Sequence, residues 1–417
     1  MQSSRNAALN ILFEVFENNQ FSNKLLNKLK QKSLFKEQDV NFIYKLVYGT
    51  IQYKIYLEYV VNKLIDPKKT NKKIQILLWM NFYQIKFLNN PIYSVTNESV
   101  EITKKIDKSL SGLVNVVTKK LENQDLWEVD IKNKKNIAPL KNGFPYWLFE
   151  KISKDFSSEI ALKVVESSNN TNEISFRINT KKISIKEFKD KFLNKLDCKK
   201  STIANNCYVS KSNSFLFELV NDGFIYIQDE TSVRAVELLE VKPESKILDM
   251  CCAPGGKLSF LAALVESNNF IDGYEINSSK KNIIKQNLKV LDINNVNLYF
   301  KDARLVKEHY DCILLDAPCS GYGLIKKKPE IKLKKYSDLE MQKMYQVQKE
   351  LLMTAIDNLN DGGTILYSTC TINKNENQDL INEVIKKTKM KLILEEQYFG
   401  FEGNNNGFYI AKLKKEF

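Results

Sequence analysis

Five short apolar runs in the second half of the chain alternate with helix-like stretches, and each run ends at or beside residues that carry chemistry. They read KILDMC (246–251), FIDGYEI (270–276), VNLYF (296–300), DCILLDAP (311–318) and GGTILYSTC (362–370). SSKKNIIKQNLKVL (278–291) and a long segment from Asp338 to Leu359 supply helices between them. Strand and helix in alternation imply a doubly wound parallel sheet. Ser337 and Glu340 suit a capping box at the start of the long helix, and DGG (361–363) is expected to end it.

With 417 residues, the chain is too long for one ordinary core, and two or three domains are expected. The first part reads as helices throughout. In AALNILFEVF (7–16), Ala8, Ile11, Leu12, Val15 and Phe16 repeat at the spacing of one buried helical face. VNFIYKLVYGTIQYKIYLEYVVNKLI (40–65) and KIQILLWMNFYQIKFL (73–88) continue that signal on either side of polar DPKKTNKK. A less regular stretch follows. FPYWLFEKISKDF (144–156) reads as a helix entered through Pro145, while EISFRINT (173–180) and KISIKEFKDKFLNKL (182–196) read as a strand followed by a helix. The expected fold class is therefore multidomain: all-α over 1–135, a small α+β region over 136–220, and a Rossmann-like α/β domain over 221–417.

A formal charge of +13 favours anionic partners, nucleic acid before acidic membrane. The N-terminal stretch MQSSRNAALNILFEVFENNQ lacks the apolar centre of a signal peptide, and no run approaches a membrane span. Seven cysteines, odd in number and without a C-x-x-C pair, suit a reducing, cytoplasmic compartment. The single histidine, His309, argues against a His-rich metal site, so no metal is expected.

KILDMCCAPGGK has the form of strand, tight turn and helix start. Gly255 and Gly256 let the backbone approach a ligand, and the helix N-terminus beyond favours negative charge. Glu275 follows at the end of the second strand, where an acid binds ribose hydroxyls. Asp302 ends the third and suits an adenine amino group. These positions point to a nucleoside-containing cofactor, but NAD, FAD and S-adenosylmethionine folds share the geometry. The fourth and fifth strands end in Cys319, three residues after Asp316, and in Cys370. Methylation of cytosine at C5 would use such groups. A thiolate added at C6 makes C5 enamine-like, and a carboxyl group near N3 stabilises the adduct. Lys257 or a helix N-terminus would lower the thiol pKa in the absence of a histidine base. That chemistry needs only one cysteine and does not say which.

CCAPGGK, DAPCSG, YSTCT, IQDETS (227–232), RINT (177–180) and GFYIAKL (407–413) together resemble the RsmB/Sun (Fmu) family of 16S rRNA cytosine-5 methyltransferases. The resemblance runs over essentially the whole chain, and LVNVVTKKL (113–121) matches a helix of its NusB-like N-terminal region. It implies that Cys370 attacks C6 and that Cys319 assists product release. It also implies an S-adenosylmethionine site lined by Cys251, Cys252, Ala253, Pro254, Gly255, Gly256, Lys257, Glu275, Asp302 and Asp316, with Asp316 also facing the cytosine. The implied substrate is 16S rRNA, free or in a partly assembled small subunit, at position 967, and the expected state is a monomer. Cys252, Leu258 and Glu275 depart from the commoner alanine, threonine and aspartate, and Cys252 reads as packing. Lys326, Lys327 and Lys328 open KKKPEIKLKK (326–335), expected to contact phosphate, and Arg177 is a candidate for holding flanking RNA. A non-catalytic ribosome-assembly factor and a nucleotide-linked oxidoreductase are the alternative functions.

Overall fold

The computed structural model describes residues 3–32, 34–130, 134–171 and 173–416, with Lys135 described by its backbone alone. Two compact units are formed, one by Met1–Asn169 with Lys327–Lys334, the other by Asn170–Lys326 with Lys335–Phe417.

The first unit is helical. Its central helix, Lys72–Phe87, is buried from Ile74 to Ile85 on every face, as a helix enclosed by others must be. Helices Ser4–Glu17, Glu37–Val61 and Ile92–Ile106 contact it. Leu12, Leu46, Ile51, Trp79 and Phe82 belong to one apolar cluster. The buried amide of Asn81 is satisfied inside that core, donating to Thr118 Oγ1 at 3.0 Å and accepting from Ser99 Oγ at 2.8 Å. Such pairing removes most of the penalty of burying an amide. No helix among the described residues is long and apolar enough to cross a membrane.

The second unit holds two sheets. Strands β1 (Ile174–Ile178), β2 (Cys198–Lys200), β3 (Cys207–Ser210) and β4 (Ile225–Ile227) form an antiparallel sheet in the order β2-β3-β1-β4. Strands β5 (Ile247–Asp249), β6 (Ile271–Tyr274), β7 (Val296–Tyr299), β8 (Tyr310–Asp316), β9 (Leu359–Thr369), β10 (Met390–Phe399) and β11 (Gly407–Lys415) form the larger sheet, ordered β10-β11-β9-β8-β5-β6-β7. The five expected strands are its parallel part. The antiparallel pair β10–β11 is an addition that the strand-helix rhythm did not announce.

After β7 the chain returns across the sheet to place β8 on the other side of β5. This reversal opens a crevice at the carboxyl ends of β5 and β8, where open α/β sheets bind ligands. One expectation needs correction. The long helix is Asp338–Asp357, with the predicted capping box between Ser337 and Glu340, but DGG does not stop it. Asn358 is the cap, its amide held by Val306 O at 3.0 Å, and DGG lies inside β9, where the register against β8 shifts. Gly362, at φ +74, supplies the left-handed residue that the irregularity needs.

Candidate active site

The turn after β5 builds the first part of the site. Gly255 sits at φ +100 and precedes the helix Gly256–Leu264, a conformation costly to any residue with a Cβ. The Ala253–Pro254 peptide is cis. Asp249, 1% exposed, accepts from Cys251 N at 3.3 Å, and its second oxygen is buried with no hydrogen bond. Burial, then the nearby Asp316 carboxylate, push its pKa up to about 7. Burial likewise raises the Cys251 and Cys252 thiols. Cys252 belongs to the apolar core beside Leu258 and Ile284, as its packing role anticipated.

A cavity of about 450 Å³ runs along this edge of the sheet. Met250, Ala253, Glu275, Ile276, Asp302 and Asp316 are among its walls, a size and make-up suited to a small-molecule cofactor. Glu275 Oε1 accepts from Asn277 N at 2.8 Å, and Lys280 Nζ is 3.5 Å from Oε2. Asp302 is held below the usual carboxylate range chiefly by hydrogen bonds from the Arg304 side chain. A smaller cavity of about 160 Å³ adjoins Asp249, Lys257 and Asp316 and is also lined by Tyr226, Gln228 and Ser232. The unpartnered Asp249 oxygen, the glycine turn and the acid at the end of β6 fit the ammonium, the close backbone approach and the ribose of S-adenosylmethionine. A larger open groove near Asp338, Tyr345 and Asp379 has no thiol or glycine turn in its walls.

The second part of the site is a pair of thiols. Strands β8 and β9 are adjacent and parallel, with Asp316 opposite Ser368, so the segments beyond them leave the sheet side by side. Cys319 Sγ and Cys370 Sγ lie 3.3 Å apart. Gly323 N donates to Cys370 O at 3.0 Å. A Cβ on Gly323 would fall 2.0 Å from Gly407 O, so this approach of the two loops demands glycine. Asp316 anchors the constellation: Oδ2 accepts from Lys257 Nζ at 2.7 Å and Oδ1 from Ser368 Oγ at 2.8 Å. Burial lowers the Lys257 pKa, but the Asp316 and Asp249 carboxylates outweigh it and, with Cys370, hold the ammonium above its ordinary value. Lys257 is thus a positive charge facing Cys370. The Cys319 thiol is raised well above its ordinary pKa, first by its hydrogen bond with Cys370, then by burial and the negative charge of Cys370, Glu376 and Asp316.

Arg177 requires a correction. It is 0% exposed, not an RNA-facing group. Its Nε donates to Gln228 Oε1 at 3.0 Å, and Nη2 to Ser259 Oγ at 2.7 Å and Gly256 O at 3.3 Å, with the guanidinium near the Tyr226 and Phe260 rings. The side chain braces the first turn of the helix behind the glycine loop. Inward orientation on β1 decides this, and a lone arginine in RINT does not reveal it. In KKKPEIKLKK, Lys327 and Lys328 are exposed and Lys326 is half-buried. Lys332 is 1% exposed within the helical unit, donating to Gln52 O, Asn142 O and Asn169 Oδ1 at 2.6–3.2 Å. That member of the basic run is structural, because its ammonium is consumed by three oxygens. Glu376, unremarked in the sequence, is buried against Ser320, the neighbour of Cys319, and its charge acts on that thiol; a lone acid in a polar stretch gives no signal of that.

Residues 236–414 match the family model described as 16S rRNA methyltransferase RsmB/F, and residues 2–123 match that of the NusB family. The probable ribosomal RNA small subunit methyltransferase B of Bacillus subtilis (strain 168) is 28% identical over 92% of this chain and 88% of its own length. The 28S rRNA (cytosine-C(5))-methyltransferase of Mus musculus is 34% identical over 46% of this chain and 28% of its own. Among solved structures, PH0851 superposes with a TM-score of 0.80 at 22% identity, covering 99% of this chain and 98% of that one; it bears on the fold alone. Sheet order, glycine turn and family matches define an S-adenosylmethionine-dependent methyltransferase carrying a NusB domain. Residues 236–414 place the catalytic part of the chain with the RsmB/F family of rRNA cytosine-C5 methyltransferases, and residues 2–123 place its helical part with the NusB family.

Proposed function

We propose that this chain methylates C5 of one cytosine of 16S rRNA, at position 967 as the family resemblance implies, through a covalent bond between Cys370 and C6. The observation that carries the reading is the pair of sulfurs 3.3 Å apart beside the Lys257–Asp316 ion pair. Cys251–Lys257, Glu275, Asp302 and Asp316 hold the cofactor, with Cys252 contributing from behind through packing. S-adenosylmethionine supplies an electrophilic methyl group on a sulfonium. The target base is unstacked to enter the site.

Lys257 favours the Cys370 thiolate, which forms the S–C6 bond while the C5=C6 electrons move toward C5 and N3. Asp316 accepts from the amino group and relays a proton from the Lys257 ammonium to N3, which neutralises that charge and is returned when Cys370 leaves. C5 then takes the methyl group. Once Cys370 is a thioether, it no longer carries the charge that most opposes ionisation of Cys319. The Cys319 proton passes to solvent, its thiolate takes the C5 proton, the S–C6 bond breaks, and Cys370 leaves as thiolate with C5=C6 restored.

The substrate is rRNA, free or in a partly assembled subunit, and the chain acts as a monomer. Exposed Lys327 and Lys328, with Lys326, offer ammonium groups to the RNA backbone. Thiolate chemistry suits the reducing cytoplasm. Labelled S-adenosylmethionine and unmethylated 16S rRNA test the reading: label at C5 of one cytosine is expected, and its absence overturns the enzyme in favour of a non-catalytic assembly role. Bisulfite sequencing of rRNA from cells lacking the gene identifies the position.

A further inference from the structure

Residues on both sides of Cys319 are held by one buried carboxylate. Glu376 is 1% exposed. Its Oε1 accepts from Ser320 N at 2.8 Å and from Gln348 Nε2 at 2.9 Å. Its Oε2 accepts from Ser320 Oγ at 2.5 Å and from Asn373 Nδ2 at 2.8 Å. Gln348 Nε2 also donates to Pro318 O at 2.8 Å, so Pro318 and Ser320, the two neighbours of Cys319, are tied to one Gln–Glu pair. Ser320 Oγ is 2.7 Å from Thr371 Oγ1, the neighbour of Cys370. With the Ser320 hydrogen directed at the carboxylate, Thr371 donates to Ser320. Four donors on two oxygens saturate an ionised carboxylate, and a network this complete fixes its members in one arrangement.

We propose that Glu376 is a positioning residue for methyl transfer, holding the Cys319 loop against Cys370 and keeping a negative charge next to the Cys319 sulfur. Two consequences follow from the geometry. First, the separation of the sulfurs is set from outside the sheet, because Pro318, Ser320 and Thr371 all connect to the same buried carboxylate, through Gln348 or Ser320 where not directly. Second, the anion disfavours a Cys319 thiolate while Cys370 is also ionised. It makes the Cys319 thiolate a stronger base later, when the C5 proton must leave. The charged groups facing Cys319 are Cys370, Glu376 and Asp316, the last paired with Lys257. This inference rests on the assignment of Cys319 to product release.

Glu376→Gln keeps the shape but places an N–H₂ where the network supplies only donors. Relaxation of the loop there is expected to slow release of methylated RNA by roughly tenfold to a hundredfold, the scale of a misplaced catalytic group. Three readouts separate positioning from general damage. S-adenosylmethionine affinity should stay within about twofold. A protein–RNA adduct that survives denaturation should accumulate. The pH midpoint for alkylation of Cys319, followed on its own peptide by mass spectrometry, should fall by about one pH unit, the size of one charge interaction. Ser320→Ala, which removes one donor and leaves the carboxylate, should change release in the same direction by a smaller factor and serves if the glutamine variant does not fold. Cys319→Ala is run beside them. If it accumulates adduct while neither Glu376→Gln nor Ser320→Ala does, Glu376 has no positioning role. An unmoved alkylation midpoint in folded Glu376→Gln overturns the electrostatic part. If Cys319→Ala itself leaves no adduct, the release role of Cys319 fails and this inference falls with it.

Discussion

Replacing Arg177 by methionine separates a buried brace from an RNA contact. The guanidinium is 0% exposed and has no carboxylate partner among the described ion pairs. Burial pushes its pKa from 12.5 down to about 10, which corresponds to a penalty on the charged form of about 3 kcal/mol. Methionine removes that penalty and fills much of the same volume. It also removes three hydrogen bonds, to Gln228, Ser259 and Gly256. Gly256 O and Ser259 Oγ keep the hydrogen bond between them at 3.0 Å, but losing three charge-assisted bonds and the donor to Gln228 Oε1 costs about 4–5 kcal/mol together. The net expectation is a loss of about 1–2 kcal/mol, or about 2–8 °C in Tm for a domain of this size. Because the lost bonds brace the first turn beyond Gly255 and fix the Gln228 amide in the smaller cavity wall, cofactor affinity should fall about fivefold. RNA affinity and its salt dependence should not change. The assays are thermal unfolding, calorimetric titration with S-adenosylmethionine, and RNA binding at several salt concentrations. An unchanged Tm with RNA affinity down about tenfold and a salt slope smaller by about one phosphate contact would refute the reasoning.

Cys370→Ala should abolish turnover and form no covalent RNA complex, whereas Cys319→Ala should accumulate one on denaturing gels; the reverse pattern exchanges their roles. Asp249 has a folded pKa of about 7 against an ordinary 3.8, so the fold holds its proton more tightly than the unfolded chain does. Its stability contribution is therefore lost as pH rises from about 4 through 7. Asp249→Asn, which keeps an oxygen for Cys251 N, should be more stable than the parent at pH 8 by up to about 4 kcal/mol and equal to it near pH 4. A parent-to-variant difference in unfolding free energy that does not vary with pH contradicts this. Lys332 should resist an amine-acylating reagent in the folded chain while Lys327 and Lys328 react; labelling of Lys332 at their rate shows that it is not buried.

Local pattern is enough to determine the parallel strands, the glycine turn, the helical N-terminal region and the chemistry at each strand end. Strand length, apolar runs and turn residues are properties of neighbouring positions, and they place Glu275, Asp302, Asp316, Cys319 and Cys370 on one edge without any long-range contact. The motifs also carry enough identity to imply the family. Contacts made across the chain had no such signature. The antiparallel β10–β11 pair follows from pairing with β9, which no local pattern announces. Arg177 and Lys332 look like solvent-facing cations in sequence, and only packing supplies the oxygens that bury them. Asn358 ends the long helix because Val306 holds its amide, which frees DGG to enter β9. The meeting of Cys319 and Cys370, 51 residues apart, depends on the β8–β9 register and on Gly323 fitting against Gly407. The charges that act on them come from Lys257, on the helix after the glycine turn, and from Glu376, in the segment that follows Cys370. Sequence alone determines which reactive groups the chain owns; tertiary structure decides which of them share a few ångströms, because only there do distance and burial set their charge.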